Sequence, residues 1–133
     1  MITKKQMWSK CWIKVRTNFI GIHNWPAAPE KVAFLRNLHR HIFYVTLIIP
    51  VTSDDREVEF FILQEELAKY INAKYPNVED ENQETSIIKF LGHRSCEMIA
   101  SEISSFFVSK FNAVEVEVSE DNENSAVILT IRQ

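Results

Sequence analysis

The chain has 133 residues, of which 46% are hydrophobic and 25% charged, and carries a formal net charge of −3. That is the size of a single domain, 1–133, long enough to bury a sizeable core, and without a basic stripe it is not a protein whose main work is holding nucleic acid. No apolar run approaches the ~20 residues of a membrane helix, and the only glycines, Gly21 and Gly92, cannot build a G-x-G-x-x-G or Walker loop for phosphates.

The start, Met1 to Lys10, is basic and polar with no apolar stretch behind it like a secretion signal. The expected location is therefore the cytoplasm, of an infected host if the source is viral. Cys11 and Cys96 lie far apart and outside any C-x-x-C pair. They read as reduced thiols, since a domain of this size does not need a disulfide.

Trp8 to Phe19 alternates, with Ile13, Val15 and Phe19 on one face and Lys14, Arg16 and Asn18 on the other, which predicts a strand. His23 to Asn37 contains Pro26 and Pro29 and reads as a loop. His39 to Val51 is a second strand, with Phe43, Val45, Leu47 and Ile49 on one face. Phe60 to Tyr75 switches to helical spacing through Phe60, Leu63, Leu67, Ala68 and Ile71, and Pro76 ends it. Asn77 to Thr85 is polar and reads as a surface loop. Ser95 to Phe111 predicts a second helix on Ile99, Ile103, Phe106, Phe107 and Phe111. Val114, Val116 and Val118 mark a third strand, Val127, Leu129 and Ile131 a fourth, and Ser119 to Ser125 a hairpin turn between them. The expected fold is α+β: a four-stranded antiparallel sheet with two helices on one face. Its two open edges invite pairing with a neighbouring subunit.

His39 and His41 stand two apart at the start of a strand, so their side chains share a face. His23 ends the preceding strand, and an antiparallel pairing across the proline-containing loop brings it to the same end. Three imidazoles with one open position make the catalytic zinc arrangement, and neutral imidazole suits zinc. The bland alternative is a set of half-exposed histidines at a strand end.

Five short motifs in this order resemble the 6-pyruvoyl tetrahydropterin synthase and 6-carboxytetrahydropterin synthase family, from about Trp12 to Ile131. Phe19-Ile20-Gly21-Ile22-His23 is similar to F-x-A-x-H, and Leu38-His39-Arg40-His41-Ile42-Phe43 to L-H-G-H-x-Y/F. Val58-Glu59-Phe60-Phe61-Ile62-Leu63 is similar to V-x-D-F-x-x-L. Ser95-Cys96-Glu97-Met98-Ile99-Ala100 is similar to T-x-E-N-x-A, and Val116-Glu117-Val118-Ser119-Glu120 to V-x-V-x-E. The resemblance implies the tunnelling fold, in which subunits join their sheets into a barrel, here as a homo-oligomer and by resemblance a hexamer. It implies zinc on His23, His39 and His41. It also implies a pterin or guanine-like ligand held by Glu120, with Ser95 and Glu97 beside it, and lyase- or isomerase-like chemistry on a pterin or a 7-deazaguanine (queuosine) precursor. A carboxylate suits that anchor because it accepts two hydrogen bonds from an amino and ring N–H edge. Without the family, Glu120 reads as a turn residue.

The sequence departs from the family pattern in three places. The stretch Val32-Ala33-Phe34-Leu35-Arg36-Asn37 carries no cysteine before the paired histidines, and Glu30 lies too far upstream to stand for the glutamate of a related branch. Asn77 to Lys89 holds no histidine where the family has an Asp-His pair, and Arg40 replaces the glycine between the two metal histidines. The candidate substitutes are His93 as a general base, Cys96 as a nucleophile, and Arg36 and Arg40 as a grip on phosphate or carboxylate. Each has a plainer reading: a surface histidine, a buried filler, solvated or inter-subunit charges. Trp25 and Pro26 read equally as a wall against a flat ring or as an oligomer contact. Loss of the usual groups leaves a second functional reading, an inactive oligomer that binds such a ligand.

Overall fold

In the computed structural model, residues 9–78 and 87–133 are described. Trp8 and most of the polar stretch expected as a surface loop lie outside the described residues. Chain order is β1 (Cys11–His23), a 3-10 segment (Glu30–Arg36), β2 (His39–Val51), α1 (Phe60–Lys74), β3 (Ile88–Gly92), α2 (Cys96–Phe111), β4 (Ala113–Glu120) and β5 (Asn124–Ile131).

The sheet has five strands in the order β3-β1-β2-β4-β5, not the four expected. The added strand, β3, runs parallel to β1, so the sheet is not wholly antiparallel. β3 is short and buries a lysine, Lys89, beside Leu91; that mixture hides its alternation from a hydropathy reading. Its outer side is partly covered by the chain leaving α1, through Val78 N to Ile88 O (2.7 Å) and Phe90 N to Pro76 O (2.8 Å). The expected loop after β1 contains the 3-10 segment, and Arg36 Nε donates to Ala28 O (2.8 Å) across it.

The alternation of β2 and β4 fixes the core. Phe43, Val45, Leu47 and Ile49 join Val114, Val116 and Val118 against Leu63, Leu67 and Ile71 of α1 and Ile99, Ile103 and Phe107 of α2. Both helices thus cover one face, as expected. Each such side chain contributes about 1.5–3 kcal/mol when fully buried. Caps set the helix starts: the Glu59 carboxylate accepts from Ile62 N (2.9 Å) and Ser95 Oγ from Met98 N (3.2 Å). Pro76 disfavours helical backbone at Tyr75, which is extended at φ −107.

On β5 the apolar set that marks the strand in the sequence faces outward. Val127, Leu129 and Ile131 are 55%, 63% and 63% exposed, while Ala126 and Ile128 pack on the core. No described helix is long and apolar enough to cross a membrane.

Candidate functional site

β1 and β2 pair antiparallel in unbroken register, with His23 opposite His39 and Gly21 opposite His41. On that face of the sheet the apolar ladder Leu47-Val45-Phe43 therefore continues into His41 and His39, with His23 alongside. The close approach there needs Gly21: a Cβ on it would lie 2.7 Å from Leu91 Cδ1 and 3.0 Å from Phe43.

The three rings stand edge to face, with centroids 4.5 Å (His23 to His39), 5.3 Å (His23 to His41) and 5.0 Å (His39 to His41) apart. Each Nδ1 meets a fixed oxygen. His23 Nδ1 lies 2.8 Å from Arg94 O, His39 Nδ1 2.8 Å from Asn37 O, and His41 Nδ1 2.7 Å from Asp121 Oδ2. Carbonyl and carboxylate oxygens only accept, so each Nδ1 carries a proton, and a ring in its neutral form then keeps its lone pair on Nε2. The Nε2 atoms of His23 and His41 are buried without a hydrogen-bond partner. One ring nitrogen from each histidine lies within 4.8 Å of the others.

Glu120 sharpens the point. Its two carboxylate oxygens lie 3.4 Å from His23 Nε2 and 3.4 Å from His41 Nε2. In the neutral rings these nitrogens are acceptors facing an acceptor, so the contact is favourable only with positive charge at this end of the sheet. Burial lowers the pKa of His23, against the raising influence of its bond to Arg94 and of Glu120, and so favours the neutral ligand form over imidazolium. The triad is thus positioned to bind a metal ion, and its donor set fits one. A carboxylate or carbonyl on the far nitrogen of each ligand is the usual support that fixes tautomer and ring orientation.

Asp121 gives that support at the β4–β5 turn. Asp121 and Asn122 both adopt left-handed φ (55° and 59°), which Asp and Asn tolerate and hairpin turns require. One Asp121 oxygen accepts from His41, the other from Ile42 N (2.9 Å), and its own N–H donates to Ile42 O (2.8 Å). The bond from His41, then that from Ile42, lowers the Asp121 pKa.

A cleft of about 470 Å³ opens beside the triad, lined among others by Trp25, Leu35, His93, Ser95, Cys96 and Met98. Most expected site residues meet there: Glu120, Glu97, Ser95, Cys96 and His93 line it together with His23 and His39. Ser95 Oγ is occupied in capping α2. Cys96 is buried, its thiol faces Glu120 Oε1 at 3.6 Å, and burial, with Glu120 adding to it, pushes its pKa up to about 12. A thiol in that state donates a hydrogen bond rather than attacking. Arg36 and Arg40 are not brought to the cleft. Arg36 holds the loop through Ala28 and Glu30, and Arg40 alternates onto the sheet face opposite His39 and His41. Trp25, 49% exposed, lines the cleft wall.

The residues missed from sequence are the supporting oxygens. Asp121 sits inside a polar cluster that reads only as a turn, and its place directly after Glu120 is the one signal that pointed to it. The carbonyls of Asn37 and Arg94 leave no signal, because every residue has one.

No family model matches the chain, and no curated protein matches it in sequence. Solved structures do match its fold. The 6-pyruvoyl tetrahydropterin synthase of Plasmodium falciparum aligns at TM-score 0.58 and 20% identity, covering 92% of this chain and 99% of that one. A catalytic-residue mutant of the Plasmodium vivax synthase aligns at TM-score 0.62 and 17% identity, with the same coverage. An uncharacterised protein of Wolinella succinogenes aligns at TM-score 0.58 and 14% identity, over 91% and 98%. The class defined here is an α+β domain with a three-histidine candidate metal centre at one end of its sheet. More particularly, the chain has the fold of the 6-pyruvoyl tetrahydropterin synthases.

Proposed function

We propose that this protein is a zinc-dependent, lyase- or isomerase-like enzyme acting on a pterin or a 7-deazaguanine precursor, as a cytoplasmic homo-oligomer. One observation carries the reading: three imidazoles whose Nδ1 atoms meet fixed oxygens each offer one ring nitrogen within 4.8 Å of the others, and the Nε2 atoms of His23 and His41 are buried without a partner. The fold shared with pterin synthases supports the substrate class, and the exposed apolar row of β5 supports assembly through sheet edges.

His23, His39 and His41 would hold the zinc. When bound, it supplies Lewis acidity to a substrate oxygen in the cleft. The chain's own groups supply the rest. Glu120, 31% exposed, reaches the cleft and accepts from the amino and ring N–H edge of the substrate. Trp25 and Met98 offer apolar surface to a flat ring and exclude water from one side of it. His93, exposed above the cleft, moves a proton at a substrate carbon as the general base, while Glu97 at the start of α2 lines the same wall. The protonated Cys96 thiol favours the second reading, an oligomer that captures such a ligand without turnover.

Metal content by elemental analysis tests the reading first. The wild type should carry about one zinc per chain and His39→Ala close to none. Turnover of dihydroneopterin triphosphate and its analogues then separates enzyme from binding module: tight binding without product supports the binding module, and a folded wild type without metal overturns both.

A further inference from the structure

His23 is the most buried member of the triad, and the oxygen that orients it belongs to a residue that lies in neither strand of the histidine pair. Arg94 lies in the turn between β3 and α2. Its carbonyl accepts from His23 Nδ1 at 2.8 Å. The turn is pinned locally by Arg94 N to Leu91 O (3.2 Å) and by Asn24 N, next to His23 in sequence, to Gly92 O (3.0 Å).

Arg94 lines the cleft beside the triad, and its side chain is held by the helix pair. Its Nε donates to Glu102 Oε1 at 2.9 Å, and its guanidinium lies 5.1 Å from the ring centre of Tyr75. Tyr75 closes α1, is fully buried, and donates its phenol to the same Glu102 oxygen at 3.2 Å. Tyr70 OH donates to the Glu102 carbonyl (3.1 Å), and Lys74 Nζ lies 3.5 Å from the other carboxylate oxygen. Glu102 therefore joins the end of α1, the middle of α2 and the turn that carries the Arg94 carbonyl.

We infer that Glu102 is a positioning residue of the metal centre: by anchoring Arg94 it aims the carbonyl that fixes the tautomer and ring orientation of His23. This rests on the metal reading above. Glu102 itself lines neither the triad nor the cleft, so it can act on them only through Arg94. An ion pair that served only to join the two helices would need no link to a metal ligand. The two roles make different demands. A joining role changes the stability of the metal-free protein alone; a positioning role changes metal affinity in protein that is still folded, because outer supports of metal ligands are worth about ten- to hundredfold in affinity.

The test measures zinc affinity of the full chain by competition with a chromophoric chelator, with circular dichroism of the metal-free protein and the visible spectrum of the cobalt(II) form. Glu102→Ala keeps a good helix former in α2. It should stay folded, lose up to about tenfold in zinc affinity, the low end of what a direct outer support is worth, and shift the cobalt bands. Glu102→Gln, which retains an acceptor for Tyr75 and Arg94, should fall between it and the wild type. Glu66→Ala removes a different interhelical pair, to Lys110 at 3.5 Å, and should leave affinity unchanged. A folded Glu102→Ala protein that binds zinc like the wild type overturns the inference. Should that variant fail to fold, Glu102→Gln decides: wild-type affinity overturns the inference and weaker binding supports it. A wild type that binds no zinc instead removes the metal reading itself, and this inference with it.

Discussion

The two ends of the β1–β2 pair occupy the same face of the sheet and obey the same alternation, yet they do opposite things. At one end Val15, Leu47 and Ile49 are packed under the helices and contain no polar atom to satisfy. At the other, His23, His39 and His41 have satisfied Nδ1 atoms, and the Nε2 atoms of His23 and His41 are buried without a partner. Burying a polar group without a hydrogen bond costs about 1–3 kcal/mol. The apolar end therefore stabilises the fold, and the histidine end carries a cost that bound metal would remove. Register makes both at once, since a strand that places Phe43 in the core must place His41 on the same face.

The comparison breaks most forcefully at the apolar end. Leu47→Ala should cost about 2–5 kcal/mol of stability, read from denaturant unfolding, because Leu47 is fully buried and leaves a cavity. The folded fraction should still bind metal at wild-type stoichiometry; loss of metal from folded Leu47→Ala protein would show that the two ends are not separable.

Asp121→Asn probes the other end. Asn tolerates the left-handed backbone there but withdraws the charge that His41 Nδ1–H meets at 2.7 Å. Metal affinity should fall about ten- to hundredfold, with melting of the metal-free protein nearly unchanged since Asp121 is exposed. Unchanged affinity would remove Asp121 from the centre's support.

The smallest effect is the pH response of the metal-free protein. His23 has a lower pKa folded than unfolded, chiefly through burial. Between the folded value and the unfolded value of about 6.5 the unfolded chain binds more protons, so stability is full above that pH and declines as pH falls below it. A His23→Gln variant should show a shallower decline; an identical one would assign the response to other groups.

Much of this was legible in the residues. The alternation of β2 gave its bounds, His39 to Val51, without error, and the H-x-H spacing with His23 one strand earlier gave the triad. β3 was not legible: five residues with a lysine facing inward make no periodic signal, and its partner, β1, lies 65 or more positions away. Nor was the outward face of β5, because alternation identifies a strand but not which of its faces meets the helices.

The sequence by itself determined the spacing of its apolar and imidazole side chains, and hence which of them share a face, since that follows from the two-residue period of extended backbone. Only the tertiary structure decided what meets them. It brought the carbonyl of Arg94 and the carboxylates of Asp121 and Glu120 to the histidines across long stretches of chain. Such contacts depend on the packing of turns and helices at the end of a sheet, which no local pattern encodes.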